Sequence, residues 1–307
     1  MDQKYIVVVG SMNCDVIFLQ ERLPLLGETF LAKSATVASG GKGANQAVQA
    51  AKLGAKTYMV AKVGNDNFGA FLSDTLAGYG VDTTYIMKSN AMTGIAAVNT
   101  LPDGVYHSTV APGSNMEITV SDVLGLEKLI AGAAAVILQM EIPMEVNERI
   151  IRVASEAGVY IVLNAAPAAP IPEETLKLVD CLIVNESEAS YYLGVTINSL
   201  ESARKSYPSL LSRVKTTLII TLGAGGSLLC TRQGSIHFPV RQTVSAVDTT
   251  GSGDSYIGAF TFLKTKGAAD REACAFASLV SQYTVSQVGG QVSMPSMKEA
   301  AAFLKTV

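Results

Sequence analysis

The 307-residue sequence lacks several features on which whole classes of protein depend. It has no run of basic residues and a net charge of −3, so it lacks the positive footprint of a nucleic-acid-binding protein. Its longest apolar stretches, such as AGAAAVIL at 131–138, are too short to cross a bilayer. The opening MDQKYIVVVG does not have the layout of a signal peptide. We therefore expect a cytoplasmic protein with neither nucleic-acid nor membrane partners.

Cysteine and histidine are also scarce. Cys14, Cys181, Cys230 and Cys274 lie far apart and form no C-x-x-C pair. This spacing argues against zinc and favours reduced, buried thiols. With only two histidines, metal sites or catalytic triads built on histidine are not expected.

Apolar residues make up 49% of the sequence, enough for a large core, and short β-rich runs alternate with helical patterns. The predicted strands are Tyr5–Val9, Thr57–Val63, Ala135–Met140, Tyr160–Leu163, Cys181–Val184 and Leu218–Leu222. The predicted helices are Ala44–Leu53, Asn67–Tyr79, Pro143–Ala157, Glu186–Leu193, Ser199–Arg213, Gly253–Lys264 and Arg271–Val285. Continuously apolar strands between helices indicate an α/β fold with a mostly parallel, doubly wound sheet flanked by helices. We expect one such domain over residues 1–307.

Two stretches, approximately 16–38 and 93–110, interrupt this alternation. The first has an alternating, β-like pattern, and the second predicts a hairpin around Leu101-Pro102-Asp103-Gly104. Together they predict a small sheet inserted into the main fold as two excursions. Such a sheet could cover an active site as a lid or could serve as a dimerisation edge, and the pattern alone does not separate these uses.

Polar residues cluster where the predicted strands end, which is where doubly wound sheets bind ligands. The candidates are Asn13, Asp15, Glu141, Asn164, Asn185, Glu186, Glu188, Asp248 and Asp254. Any one of them could simply cap a loop or a helix. Together, these carboxylates and carboxamides indicate a site for a polyhydroxylated ligand and a metal–phosphate group.

The usual phosphate-binding motifs are absent. The chain has no G-x-x-x-x-G-K-S/T, and the turn after the first strand lacks G-x-G-x-x-G, which disfavours a nicotinamide-dependent dehydrogenase. Two other glycine clusters, SGGKGANQA at 39–47 and TTGSGD at 249–254, each open a helix and could direct backbone amides at an anion. Lys42, in the first cluster, could equally be a solvated loop lysine.

The second cluster places small residues directly before Asp254. An ordinary helix cap would explain this arrangement. Alternatively, the amides of Gly251, Ser252, Gly253 and Asp254 could bind a transferring phosphoryl group, with the Asp254 carboxylate as the base for an acceptor hydroxyl. The helix dipole would tend to keep this carboxylate ionised.

The chain resembles the ribokinase (PfkB) family of ATP-dependent carbohydrate kinases over nearly its whole length. The resemblance rests on SGGKGANQAVQAAKLGA at 39–55 and VDTTGSGDSYIGAF at 247–260, supported by GSMNCDVI, LQMEIP, NESEA and TLGAGGS. It implies a ribokinase-like α/β fold in which the two inserted stretches form a β-sheet lid that also holds a homodimer together. One departure is Ser252, where the family more often has alanine.

The resemblance also implies roles for individual residues. The implied sugar ligands are Asn13, Asp15, Gly41, Lys42, Asn45, Glu141 and Asp254. Asp254 is the implied catalytic base, beside an anion hole of Gly251, Ser252 and Gly253. The implied ATP contacts are Asn185, Thr221, Gly223, Gly226, Gly253 and Ser278, and Glu188 is linked to Mg²⁺. A monovalent cation, usually K⁺, is implied near Asp248, Thr250, Thr284, Gly289 and Ser293.

We therefore expect ATP-dependent phosphorylation of D-ribose at its 5-hydroxyl, giving D-ribose 5-phosphate and ADP. Polar residues at the implied sugar positions favour a free pentose, because unpaired polar groups disfavour ligands without matching hydroxyls. Other free sugars such as 2-deoxyribose or fructose, and nucleosides, stay open as acceptors. A protein that binds sugar or nucleotide without catalysis is the alternative from another class.

Overall fold

The computed structural model describes residues 4–101, 106–240 and 244–305 and has two β-sheets. The larger sheet has nine strands, in the order β13-β12-β11-β10-β9-β8-β1-β4-β5. These strands are β1 (Tyr5–Val9), β4 (Lys56–Gly64), β5 (Val81–Ser89), β8 (Ala135–Gln139), β9 (Tyr160–Asn164), β10 (Cys181–Val184), β11 (Thr217–Thr221), β12 (Ser227–Thr231) and β13 (Gly234–Phe238). The smaller sheet is ordered β3-β2-β6-β7 and comprises β2 (Asn13–Leu19), β3 (Ser34–Gly40), β6 (Gly94–Thr100) and β7 (Tyr106–Ala111).

Helices connect the strands of the larger sheet. They are α1 (Lys42–Lys52), α2 (Asn67–Gly78), α3 (Val120–Val123), α4 (Glu127–Ala131), α5 (Met144–Glu156), α6 (Glu173–Leu176), α7 (Glu186–Leu193), α8 (Leu200–Leu211), α9 (Ser252–Thr265), α10 (Asp270–Val285) and α11 (Met297–Phe303). All seven predicted helices are present, with ends that differ from the prediction by two residues or fewer. No helix within the described ranges is long and apolar enough to span a bilayer.

The strand at the centre of the larger sheet explains why the apolar runs predicted a sheet covered on both faces. In β1, Ile6 and Val8 belong to one buried cluster, and Val7 and Val9 to the cluster on the opposite face. Successive strand residues point to opposite faces, so a continuous apolar run indicates that both faces are covered. The strand pairs in parallel with β4 and β8, and the mostly parallel α/β fold is confirmed.

Three strands of the larger sheet were not predicted from the sequence. In the edge strand β5 only Val81 is buried and the other residues are half-buried or exposed, so the strand gives no clear period. The strands β12 and β13 add to the other edge in antiparallel pairs, as a short hairpin after β11. This hairpin carries part of the site described below.

The smaller sheet agrees with the two predicted excursions. The first excursion contributes β2 and β3, which pair antiparallel, and the second contributes β6 and β7, also antiparallel. The sheet closes through a parallel pairing of β2 with β6. Most of the predicted hairpin turn, Pro102 to Gly104, lies outside the described residues. All four cysteines are free and buried, as expected.

Candidate active site

Asp254 lies in the first turn of α9, where the chain enters the helix through a glycine. Gly251 caps α9 with φ of +73°, a left-handed conformation that favours glycine. Further along the helix, a Cβ on Gly258 would lie 2.8 Å from the Gln46 carbonyl oxygen, so α9 packs closely against α1 at this glycine. This close packing brings the carboxylate of Asp254 to the buried side chains of α1.

Each carboxylate oxygen of Asp254 accepts a hydrogen bond from an amide side chain of α1. Asn45 Nδ2 donates to Oδ2 at 2.9 Å, and Gln46 Nε2 donates to Oδ1 at 2.8 Å. Burial raises the pKa of Asp254 above its ordinary value, and it outweighs the charge of Lys42 and the two amide hydrogen bonds, which lower that pKa. The helix dipole, which favours an ionised Asp254, is therefore opposed by desolvation. Lys42, Asn45 and Gln46 act in the same direction as the dipole.

The predicted sugar-binding residues approach Asp254 from β2, from the start of α1 and from the segment after β8. Asn13 and Asp15 lie in β2 of the smaller sheet, which starts shortly after β1 ends. A Cβ on Gly41, which has φ of +90°, would lie 2.7 Å from the Asn13 amide nitrogen, so glycine allows the start of α1 to approach β2. Glu141 lies just after β8, and its Oε1 is 4.0 Å from Lys42 Nζ.

Asp15 has a strongly perturbed carboxyl group. Burial, together with the charges of Glu141 and Asp254, raises the pKa of Asp15 to about 7, and Lys42 opposes this shift. Three carboxyl groups and one ammonium group therefore share this part of the site. Such a cluster can accept hydrogen bonds from several hydroxyls of one ligand.

A cavity of about 470 Å³ opens beside Asp254 and Lys42. Every predicted ATP contact lines it: Asn185, Thr221, Gly223, Gly226, Gly253 and Ser278. A Cβ on Gly253 would meet nothing within 4 Å, so the glycine leaves space open at this wall. The Ser252 amide donates to the Thr249 carbonyl oxygen at 3.2 Å, so in this structure it takes part in a turn.

The loop from Gly223 to Gly226 forms one wall of the cavity. It begins where β11 ends and reverses the chain into β12, with φ of +88° at Gly226. His237 Nε2, on the neighbouring β13, lies 2.7 Å from the Gly225 carbonyl oxygen and donates to it. The hairpin of β12 and β13, which the sequence did not predict, therefore holds the loop from Gly223 to Gly226, which it did predict.

Glu188 and Asn185 form the start of α7 at the same cavity. Asn185 accepts from the Glu188 amide, and both carboxylate oxygens of Glu188 accept from Asn185, at 2.9 and 3.0 Å. Burial raises the pKa of Glu188. No cluster of three or more metal-ligating side chains occurs in the described part of the chain. The carboxylate of Glu188, with the side-chain oxygen of Asn185, suits Mg²⁺, which proteins commonly hold through one or two carboxylates together with substrate phosphates.

The predicted monovalent-cation residues lie on neighbouring segments. Asp248 accepts from the amides of Thr250 and Gly289, both at 2.9 Å, which joins the loop before α9 to the loop after α10. Thr284 is in the last turn of α10, and Ser293 follows in the same loop as Gly289. The segments therefore meet, and backbone and side-chain oxygens of this type suit a hard cation.

Sequence reasoning missed several residues that shape the site. Ser11 Oγ donates to Glu141 Oε2 at 2.5 Å, and Asn115 Nδ2 donates to Asn13 Oδ1 at 2.7 Å. Ser281 Oγ donates to the Ser252 carbonyl oxygen at 3.0 Å, which ties the start of α9 to α10. A polar residue within an apolar helical pattern could have drawn attention to Ser281. No local pattern marked Asn115.

Comparison with known proteins identifies the family to which the chain belongs. A model of the pfkB family of carbohydrate kinases matches residues 3–297. Ribokinase from Staphylococcus aureus is 35% identical over 297 residues, which cover 96% of this chain and 97% of that protein. A deoxyribokinase from Salmonella typhi is 30% identical over 301 residues, which cover 97% and 98%.

A solved structure of Arabidopsis thaliana ribokinase with ribose and ATP matches with a TM-score of 0.90 at 32% identity, covering 99% of both chains. Both the fold and the full-length sequence matches point to the same assignment. The chain belongs to the pfkB family of carbohydrate kinases and is an ATP-dependent sugar kinase.

Proposed function

We propose that this protein phosphorylates D-ribose at the 5-hydroxyl, with Asp254 as the general base. The observation that carries the proposal is the position of Asp254, between the polar cluster of Asp15 and Glu141 and the cavity that contains the predicted ATP contacts. A hydroxyl bound in the cluster and a γ-phosphate bound in the cavity would meet at this carboxylate. The ribokinase relatives support ribose as the acceptor.

In the proposed step, Asp254 takes the proton of the 5-hydroxyl while the sugar oxygen attacks the γ-phosphorus of ATP. The bond from that phosphorus to the bridging oxygen breaks, and ADP leaves. Amides at the start of α9, from Gly251 to Asp254, would stabilise charge on the transferring group, because the first N–H groups of a helix have no partner within it. The Ser252 amide would have to leave its bond to the Thr249 carbonyl oxygen in order to take part. The products are D-ribose 5-phosphate, ADP and a proton.

Mg²⁺ and a monovalent cation are part of the proposal. Glu188, with Asn185, would hold Mg²⁺ together with the phosphates of ATP, and bound Mg²⁺ would neutralise phosphate charge. K⁺ would bind near Asp248, Thr250, Thr284, Gly289 and Ser293. Because these residues lie directly before and beside the start of α9, the cation would affect the geometry of the anion hole.

A homodimer formed through the smaller sheet is the proposed assembly. Leu31, Val37 and Val110 on this sheet and its loop are 87%, 53% and 46% exposed, which supports a covering partner. Sedimentation of the wild type and of Val37→Glu tests this idea. We expect the wild type to sediment as a dimer and Val37→Glu as a monomer. A monomeric wild type would contradict the proposed assembly. The smaller sheet would then be both lid and dimer contact, in a cytoplasmic enzyme with reduced thiols.

The test of the reaction is ADP release with Mg²⁺–ATP and K⁺, using ribose, 2-deoxyribose, fructose, adenosine and no acceptor. Asp254→Asn is assayed alongside, because it keeps the shape of the side chain but removes the base. We expect fast turnover on ribose and a loss of about 10²-fold or more in the variant, as is typical for a missing general base. Unchanged turnover in Asp254→Asn would contradict the proposed base.

The second candidate acceptor is 2-deoxyribose, which the similarity to a deoxyribokinase favours. The two sugars differ by one hydroxyl, so the comparison of their kcat/KM values decides between them. Preference for 2-deoxyribose would keep the mechanism and change the substrate. Binding of a sugar with no turnover on any acceptor would instead indicate a non-catalytic binding protein.

A further inference from the structure

A group of buried amide side chains lies behind Asp254 and does not line the cavity. Gln46 Nε2 donates to Asp254 Oδ1 at 2.8 Å, and Gln46 Oε1 in turn accepts from Gln139 Nε2 at 2.8 Å. Asn147 Nδ2 donates to the Gln139 carbonyl oxygen at 2.8 Å. The side chains of Gln46, Gln139 and Asn147 are all completely buried.

This order of contacts determines which way the Gln46 amide points. Because Gln139 donates to Oε1 of Gln46, the NH₂ group of Gln46 must face Asp254. Asn45 is held in the same way on the other side, since Gln291 Nε2 donates to Asn45 Oδ1 at 3.0 Å. The two oxygens of Asp254 are therefore held by two amides, each backed by a second buried glutamine.

The arrangement is costly for folding, and this cost indicates a role beyond stability. A buried amide is unfavourable unless its groups are paired, and an apolar side chain of similar volume usually stabilises a core better. Here Gln139 Oε1 and Asn147 Oδ1 have no hydrogen-bond partner in the described part of the protein. Gly10 makes room for Gln139, because a Cβ there would lie 1.8 Å from Gln139 Oε1.

We propose that Gln46, oriented by Gln139, is a positioning residue that aims the Asp254 carboxylate at the acceptor hydroxyl and keeps it ionised. The inference rests on the proposed role of Asp254 as the base. With Oδ1 and Oδ2 each accepting one amide hydrogen bond, the carboxylate cannot rotate freely, and its remaining lone pairs face the site. Gln46 does not touch the substrate in this proposal.

Four charged groups also influence the pKa of Asp254 and therefore the pH profile of the enzyme. Lys42 on α1 favours its ionised form, whereas Glu141 after β8, Asp15 on β2 and Glu188 on α7 disfavour it. Gln46 differs from these groups because it is uncharged and fully buried. Its removal therefore changes one hydrogen bond to Asp254 without changing the net charge of the site.

The main test uses Gln46→Met, which keeps the volume and removes the donor. Single-turnover phosphoryl transfer to D-ribose is measured from about pH 5 to about pH 9, so that product release does not mask the chemical step. We expect the rate at neutral pH to fall about tenfold, and the acidic limb of the profile to move upward by about one pH unit. The ionised base returns at higher pH, so the rate should partly recover there. The KM for ribose should change less than about twofold.

Gln49→Met is the matched control. Gln49 is a fully buried amide on the same helix, and its Nε2 donates to the Pro295 carbonyl oxygen at 3.0 Å rather than to Asp254. Gln49→Met loses one buried hydrogen bond, whereas Gln46→Met loses those to Asp254 and Asn164 and the one from Gln139, so a larger drop in melting temperature is expected for Gln46→Met. Only Gln46→Met should move the pH profile, and identical profiles for the two variants would overturn the proposal.

A second variant, Gln46→Glu, tests the proposal if Gln46→Met does not fold. Gln46→Glu has the same shape, can still accept from Gln139, and places a carboxyl group against Asp254 Oδ1. Since neighbouring carboxyl groups raise each other's pKa, the acidic limb should move further upward than in the methionine variant. An unmoved limb would overturn the proposal.

Asp254→Asn separates this inference from the proposed function. If Asp254→Asn stays active, the assignment of the base is wrong and the role of Gln46 falls with it. If Asp254→Asn is inactive while both Gln46 variants keep the wild-type profile, the base stands and only the positioning role is wrong.

Discussion

The titration of Asp15 leads to a prediction about sugar binding in the absence of nucleotide. The pKa of Asp15 is raised to about 7 by burial and by the neighbouring carboxyl groups of Glu141 and Asp254. An ionised carboxylate only accepts hydrogen bonds, so a sugar that donates its hydroxyls to Asp15 binds the ionised form in preference. Sugar affinity should therefore increase with pH through this range, and binding should release a proton.

The magnitude follows from the ionised fraction. With a pKa of about 7, roughly one tenth of Asp15 is ionised at pH 6 and roughly nine tenths at pH 8. If only the ionised form binds, the Kd for ribose is about tenfold weaker at pH 6 than at pH 8, or about 1.4 kcal/mol in binding free energy. Affinity increases with pH because burial raises the pKa of Asp15 in the free protein, and a hydroxyl donated by the bound sugar lowers that pKa again.

Isothermal titration calorimetry with ribose at three pH values, each in two buffers of different ionisation enthalpy, measures the Kd and the protons released. Asp15→Asn is the control, because it keeps the shape and cannot titrate. We expect the variant to bind weakly at pH 8 and to show no pH dependence over the same range. A wild-type Kd that is flat from pH 6 to pH 8, with no proton release, would refute the reasoning.

Two further substitutions test the geometry of the site. Gly258→Ala places a Cβ 2.8 Å from the Gln46 carbonyl oxygen, so α9 must move away from α1. We expect a loss of about 1–3 kcal/mol in unfolding free energy by denaturation, and a fall in kcat that exceeds any change in KM, whereas wild-type kcat would refute the role of this contact. His237→Phe removes the hydrogen bond to the Gly225 carbonyl oxygen, so the KM for ATP should rise severalfold while the KM for ribose stays unchanged. Equal changes in both KM values would argue against a specific effect on the nucleotide loop.

The local pattern of the sequence was sufficient for much of the fold. Continuous apolar runs predicted the central parallel strands, because a strand covered on both faces needs apolar side chains at every position. The helices were predicted closely because their amphipathic period and caps are local signals, as with Asn185 and Glu188 at the start of α7. The edge strands β5 and β13 escaped, because their mixed exposure gives no regular period. The strand β12 is mostly buried, but its apolar run is only Leu228–Cys230, too short to indicate a strand.

The same division holds for the candidate site. The two glycine-rich motifs and Asp254 were visible in the sequence, since close backbone approach and a helix start need particular residues at short spacing. Asn45 was expected as a sugar ligand, but the contacts of Asp254 with Asn45 and Gln46 were not foreseen, because these residues are 209 and 208 positions away in the chain. Glutamines on a buried helix face have no sequence signature of their own.

The sequence by itself therefore determined the central strands and the seven predicted helices, and where small residues allow a ligand to approach the backbone. Only the tertiary structure decided how those elements face each other. The close packing of α9 on α1 at Gly258 brings a carboxylate to two buried amides, and the smaller sheet brings Asp15 close enough to shift its pKa. Hydrogen-bond partners and electrostatic shifts depend on distances of a few ångströms across the chain, and these arise only when the core is packed.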